Sequence, residues 1–277
     1  MPTRVRDGAL GALVRACHPE PTAAVTGVMV ALAVSTGREF GACWVGLAVL
    51  TGQLSVGWSN DYIDRGRDRR RNDKPVAGGR VPAYVVGGAA LAALLACVPL
   101  SLTSGWRAAA VHLTGVVAAW AYNLGLKATL VSWAPYAVGF AALPAFVTLG
   151  LPGRPWPAWW VLAVGALLGV GAHFANVVPD IAADRASGVL GLPQRLGEMA
   201  SRLTAAALLV AASVLVALGP AGQVDALGLV GLAAVLTIVV AGATLGRRAG
   251  PRAVFFVSIA VAVLDVTLLV ARGGNIT

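Results

Sequence analysis

The chain has 277 residues, is 58% apolar and only 12% charged, and has a mean hydropathy of +0.79. A soluble domain carries about a quarter charged residues, so this composition excludes an ordinary water-soluble globule and points to an all-α, polytopic membrane protein. The net charge of +9 raises a nucleic-acid role, but the placement of that charge along the chain argues against one.

Residues 1–20 hold Arg4, Arg6 and Arg15 and lack the apolar core of a cleavable signal. Arg15 and the pair His18-Pro19 stand just before the first apolar run and read as a surface anchor. Nine spans are then expected, at 22–38, 41–59, 83–104, 106–123, 129–151, 157–178, 201–219, 226–246 and 252–271. Each is about long enough to cross a hydrocarbon core. The runs are continuous, without two-residue alternation, which excludes a β-barrel. They form a single domain over 1–277. Cys17, Cys43 and Cys97 are scattered, and so are His18, His112 and His173, so neither a disulfide framework nor a zinc site is expected.

Between the second and third spans lies "WSNDYIDRGRDRRRNDKPVAGGRV", residues 58–81. Asn60, Asp64 and Asp68 are spaced i, i+4, i+8, with Asp61 adjacent. A helix running past the membrane edge would place them on one face, where like charges repel unless cations neutralise them. After the fourth span comes "YNLGLK", with Tyr122 and Lys127. After the sixth comes "NVVPDIAADRASGVLGLPQRLG", residues 176–197, in which Asn176, Asp180 and Asp184 repeat the spacing. Pro179 is expected to kink that helix. His173 reads as helix packing, and Trp156, Trp159 and Trp160 as an outer interfacial belt. Asp265, inside the last span, reads as polar packing. Asp7, Glu20, Glu39, Glu198 and Asp225 read as surface groups.

Seventeen of the 21 basic residues fall on the side of the N-terminus and the even-numbered loops. The other side receives Arg38, Arg107, Arg154 and Arg272. The positive-inside rule therefore puts the N-terminus and both Asp clusters in the cytoplasm and the C-terminus outside. Most of the positive charge is topological.

Carboxylates gathered at two matching helix ends suit hard divalent cations. Mg²⁺ binds through one or two carboxylates plus substrate phosphates, and two such clusters can clamp a diphosphate. The interleaved cations Arg67, Lys74, Arg80, Lys127 and Arg185 suit the remaining phosphate oxygens. An allylic diphosphate held this way would ionise, and the apolar bundle would shelter its tail.

At these residues the sequence resembles the UbiA superfamily of intramembrane prenyltransferases. Asn60 to Asp68 matches the family's NDxxDxxxD motif, and Lys74 to Arg80 its "RPIASGR"-type continuation with Lys before Pro. Asp180 to Asp184 fits the DxxxD motif. Gly188 to Gly197 is similar to the tail of menaquinone-type members, and Tyr122 with Lys127 to the Tyr–Lys segment after the fourth helix. The resemblance implies nine helices around a central cavity with both motifs on a cytoplasmic cap, and Mg²⁺-dependent transfer of a prenyl chain to an acceptor, often aromatic. It implies that Asp61, Asp64, Asp68, Asp180 and Asp184 bind the metal and that Asn60, Asn176, Lys74, Arg80, Tyr122 and Lys127 meet the diphosphate. The sequence departs from menaquinone-type members at Gly188-Val189-Leu190-Gly191, where Gly-Lys-x-Thr is usual, and from hydroxybenzoate-type members at Ala183, where a tandem Asp is common. The acceptor therefore stays open. A terpene cyclase using the same site and a cation-coupled transporter are the alternatives.

Overall fold

The computed structural model describes residues 8–70, 74–219, 225–249, 253–271 and 276–277. Arg4, Arg6, Asp7, Arg71, Asp73, Arg252 and Arg272 lie outside the described residues, as do the side chains of Arg70, Arg247 and Arg248. Among the described residues every regular element is helical.

Each of the nine apolar runs forms a helix: α2 (Pro19–Ser35), α3 (Gly41–Asp64), α4 (Ala83–Leu102), α5 (Trp106–Leu124), α6 (Ala134–Thr148), α7 (Trp159–Val177), α10 (Glu198–Leu218), α11 (Ala226–Ala249) and α12 (Ala253–Ala271). Five helical stretches, Gly41–Asp64, Ala83–Leu102, Trp159–Ala186, Glu198–Leu218 and Ala253–Ala271, are long and apolar enough to cross a membrane. The chain is an integral membrane protein. Three short helices fall outside the expected spans: α1 (Ala9–Ala16), α8 (Ile181–Ala186) and α9 (Leu192–Leu196). In α1, Ala12 and Ala16 are buried while Leu10 and Val14 face outward. Eight residues are too few to register as a span.

Neighbouring helices pair in chain order, α2 on α3, α3 on α4, α5 on α6, α6 on α7, α7 on α10 and α10 on α11. α12 packs on both α11 and α2 and so closes a ring. The main apolar core draws on Met29 and Leu32 of α2, Val45 and Val49 of α3, Phe146 and Val147 of α6, Val161 and Val164 of α7, Val216 of α10 and Leu268 of α12. All of these lie toward the helix ends remote from Asp64 and Asp184. Apolar packing thus dominates one end of the bundle, and the carboxylates of both clusters gather at the other. Phe146 is fully buried and stacks on His112, with ring centroids 4.4 Å apart. Phe146→Ala should cost about 3–5 kcal/mol, read as a lower melting temperature in detergent.

Two expectations are refined here. Trp156 and Trp159 are exposed, as an interfacial belt requires, but Trp160 is buried in the core. Its neighbour Trp159 lies one residue, or about 100° of helix, away, so the two rings cannot share a face. Asp265 is fully buried and accepts a hydrogen bond from Ser213 Oγ at 2.9 Å, joining α12 to α10. That contact is the polar packing expected of it.

Candidate active site

α3 ends at Asp64, earlier than the continuous helix expected, and Asp68 follows on a 3-10 turn spanning Arg67–Arg70. The turn still directs Asp68 inward: Asp61, Asp64 and Asp68 are all buried. Gly66, beside a run of charged residues, disfavours further α-helix.

Asp64 is the hub. One carboxylate oxygen forms a short ion pair with Lys127 Nζ, and the other meets Arg67 Nη2 at 2.7 Å. Asn60 Nδ2 donates to the same oxygen at 3.3 Å, and Arg67 Nε lies 3.7 Å from Asp68. These cations answer the repulsion that the spacing implies. Lys127 sits on a 3-10 turn, Leu126–Ala128, just after α5. Burial lowers its pKa, while the Asp64 charge opposes that shift. Asp61 instead accepts the Val76 N–H at 3.1 Å, which ties the turn over residues 74–80 to α3. Lys74 and Arg80 begin and end that turn; the Arg80 N–H donates to the Pro75 carbonyl.

The second cluster is more open, with Asp180 and Asp184 half-buried and Asn176 exposed. α7 gives way to a 3-10 turn at Val178–Asp180, where Pro179 removes a donor, and α8 carries Asp184. Asp184 accepts from Gln194 Nε2 at 2.8 Å. The Tyr136 ring meets Tyr122 edge-on, with centroids 5.2 Å apart, and Asn176 lies close by. Tyr122 lies within electrostatic reach of Asp64 and Asp184 together, so it stands between the clusters. Arg185 does not join them: its guanidinium donates to the Gln194 and Arg195 carbonyls and holds the loop. His173 is buried behind Tyr136 and hydrogen-bonds to Ser132, which in turn accepts the Leu192 N–H. That is a packing role, as expected.

Two further residues carry the geometry and were not singled out in the sequence. Asn123 accepts from Asn60 Nδ2 at 3.1 Å and donates to Val56 O and Ser59 Oγ. Gln194 is buried against Asp184. Both lie inside stretches marked out in the sequence, "YNLGLK" and residues 176–197. Gly191 lets the second loop close on the Lys127 turn: a Cβ there would meet Lys127 O at 2.4 Å and Ser132 Oγ at 3.0 Å. Gly191→Val should pry the two apart and cost about 1–3 kcal/mol, with a matching drop in melting temperature and in activity.

His18 requires a correction. It is no surface anchor. Its imidazole is half-buried and lies within electrostatic reach of Lys74 and Asp180. Burial first, and then the Lys74 charge, pushes its pKa down to about 4, so the ring is neutral at pH 7. The backbone reaches this position because Gly57 has no side chain: a Cβ there would lie 2.3 Å from Cys17 O. Trp58 Nε1 also donates to Leu13 O at 2.9 Å. His18 is left-handed, with φ 55°, a conformation that costs a non-glycine residue roughly 1–3 kcal/mol.

Carboxylates gathered at the ends of two helices of an apolar bundle, the first set buried and ion-paired with Lys127 and Arg67, define the class. The model of the UbiA prenyltransferase family matches residues 22–268, and the chain belongs to that family. Among curated proteins it is similar to the Bacteriochlorophyll synthase 33 kDa chain of Cereibacter sphaeroides, 32% identical over 179 residues, which is 59% of this chain and 58% of that protein. The match thus spans less than two thirds of that relative's length. Among solved structures, a UbiA homologue from Aeropyrum pernix K1 superposes with a TM-score of 0.74 at 16% identity, covering 91% of this chain and 98% of that one. A homologue from Archaeoglobus fulgidus, solved bound to DMAPP and Mg²⁺, gives a TM-score of 0.67 at 14% identity over 93% and 98%. At these identities the likeness shows the fold.

Proposed function

We propose that the chain is a Mg²⁺-dependent intramembrane enzyme that moves a prenyl chain from an isoprenyl diphosphate to a small-molecule acceptor, with aromatic acceptors the first to test. The observation that carries this reading is the buried Asp64, flanked by Lys127 and Arg67, with Tyr122 in reach of it and of Asp184. Nine spans around a central cavity, a cytoplasmic cap holding both clusters, and an external C-terminus belong to the same reading. The asymmetry of basic residues supports that orientation.

The donor set fits a hard divalent cation, since it offers carboxylate oxygens from Asp61, Asp64, Asp68, Asp180 and Asp184 and no thiolate. Among the described residues no three His, Cys, Asp or Glu side chains converge on one point. A Mg²⁺ ion that takes one or two carboxylates and completes its shell with substrate phosphates and water needs no such convergence. When bound, the ion stabilises charge on the leaving diphosphate. Lys127, Arg67, Lys74 and Arg80 supply cations to the same oxygens, and Asn60 and Asn176 fix their geometry. The allylic C–O bond breaks, and the diphosphate leaves with the electron pair. The acceptor then donates a pair to the allylic carbon and loses a proton. The apolar bundle shields the cation from water.

One observation bears on the transporter alternative. The carboxylates sit at helix ends beside dense positive charge, whereas transporter sites tend to lie on broken helices near the midplane. A cyclase would use the same diphosphate site without an acceptor. Purified protein with Mg²⁺ and radiolabelled geranyl, farnesyl, geranylgeranyl and longer diphosphates, each with and without an acceptor panel, separates the readings. Acceptor-dependent labelled product supports transfer. Hydrocarbon or alcohol formed without acceptor replaces it with cyclisation, and release of no diphosphate refutes both.

A further inference from the structure

The connection between α3 and α4 carries more arginine than its aspartates use. Arg67 turns inward to Asp64 and Asp68. Arg65 and Arg69 are exposed, and among the described residues neither pairs with a carboxylate. Membrane orientation asks for positive charge on this side of the protein, but for no particular arrangement of it. Here both arginines stand on the wall of one crevice of about 640 Å³, a size within the range of about 300–1,000 Å³ usual for small-ligand sites.

The crevice is separate from the aspartate site. Among the described residues that line it there is no carboxylate and none of the groups assigned to the diphosphate. Val76 is the partition: its N–H donates to Asp61 at 3.1 Å, and the residue also lines the crevice. The rest of the wall is mainly apolar, with Ile63 from the last turn of α3 and Val81, Pro82 and Ala83 leading into α4. Both helices are long and apolar enough to cross a membrane. A crevice between the end of one and the start of the next lies at the membrane edge, where a ligand meets water and hydrocarbon together. Arg65 is held in place there. Its Nη1 donates to Tyr62 O at 2.6 Å, and its guanidinium carbon lies 4.1 Å from the centre of the Tyr62 ring. That ring is seated on α4 because residue 87 is glycine: a Cβ there would meet ring atoms at 3.0 Å. The remaining guanidinium N–H groups of Arg65 are available to a ligand.

We propose that this crevice binds an anionic lipid headgroup, with Arg65 and Arg69 on its phosphate oxygens and its chains running along the start of α4. Planar guanidinium groups match phosphate in a way a point charge does not, and basic pockets between spanning helices suit anionic headgroups. Tyr84, exposed beside Ala83, fits the same interface. A soluble phosphate shares the chemistry of the arginines, but it has no use for the apolar wall. The inference goes beyond the transfer reaction and does not depend on it.

The test titrates full-length protein in detergent with dioctanoyl phosphatidylglycerol, dioctanoyl phosphatidylcholine or inorganic phosphate and follows the melting temperature, which rises with any ligand that binds the folded state. Phosphatidylglycerol should raise it in a saturable way, and the other two should do little at the same concentrations. The paired variant Arg65→Gln with Arg69→Gln should melt close to wild type without lipid, because both side chains are exposed. It should need about tenfold to thirtyfold more phosphatidylglycerol for the same rise, since each basic residue at an anionic surface is worth roughly fivefold in affinity. Arg65→Lys with Arg69→Lys keeps the charge without the planar fork and should recover only part of the loss. No rise with phosphatidylglycerol, an equal rise with phosphatidylcholine, or a wild-type response from the glutamine pair would overturn the proposal. An equal rise with inorganic phosphate would overturn the lipid in favour of a soluble ligand, and a wild-type response from the lysine pair would reduce the site to diffuse attraction. Wild-type protein that turns over no prenyl donor would count against the transfer reading alone, so the two failures are distinguishable.

Discussion

Asp64→Asn is expected to lower Mg²⁺-dependent diphosphate release by about 10²- to 10³-fold or more, the scale seen when one preorganised electrostatic group is removed. Asp180→Asn should do the same from the opposite cluster. The amide keeps the volume of the carboxylate, so neither change opens a cavity. At Asp64 it does remove the counter-charge of buried Lys127, and breaking a buried ion pair from one side costs about 3–5 kcal/mol when the stranded charge persists. Here the stranded group has a way out. Burial already lowers the pKa of Lys127, and losing Asp64 removes the interaction that opposes this. Lys127 can shed its proton, so Asp64→Asn should stay folded and inserted, with a smaller stability loss. Parallel assays of diphosphate release and thermal unfolding check this. Near-wild-type activity in either aspartate variant would remove it from the site.

Lys127→Met carries the second large effect. Methionine roughly matches the aliphatic stem, so packing survives and the charge goes. Asp64 keeps Arg67 at 2.7 Å as its counter-charge, which limits the structural damage. A phosphate oxygen loses its buried cation, and kcat should drop by about 10²-fold. Lys127→Arg should rescue poorly, because a planar guanidinium does not fit a pocket shaped for a compact ammonium; Lys127 is only 9% exposed. Steady-state kcat and donor KM for the three proteins would show it.

These residues were legible because carboxylates and cations are rare in so apolar a chain. Asn60, Asp61, Asp64 and Lys127 stood out by type and spacing, and the structure groups Asn60, Asp64 and Lys127. The nine apolar runs were legible for a similar reason: continuous hydrophobicity has one helical meaning at that length. What escaped the sequence depended on partners distant along the chain. Asn123 looks like any polar residue until α5 lays it against Asn60. Gln194 is unremarkable until α9 turns it onto Asp184. The α1–α2 corner is far from α3 in sequence, and only the close approach of Cys17 to Gly57 brings them together. Arg185 misled for the opposite reason: its charge suggested phosphate, while the fold gives it the carbonyls of Gln194 and Arg195, in the next short helix. The end of α3 at Asp64 was also hidden, because helical spacing of side chains persists across a 3-10 turn closely enough to keep Asp68 buried.

The central claim is that both aspartate clusters hold one Mg²⁺–diphosphate. The most direct measurement is equilibrium binding of a labelled isoprenyl thiolodiphosphate, whose C–S bond resists ionisation, to the wild-type protein and to Asp64→Asn and Asp180→Asn. The expected result is binding that requires Mg²⁺, is abolished by EDTA and is lost in each variant alone. Binding of equal strength in EDTA, or binding that survives the loss of either cluster, would contradict it.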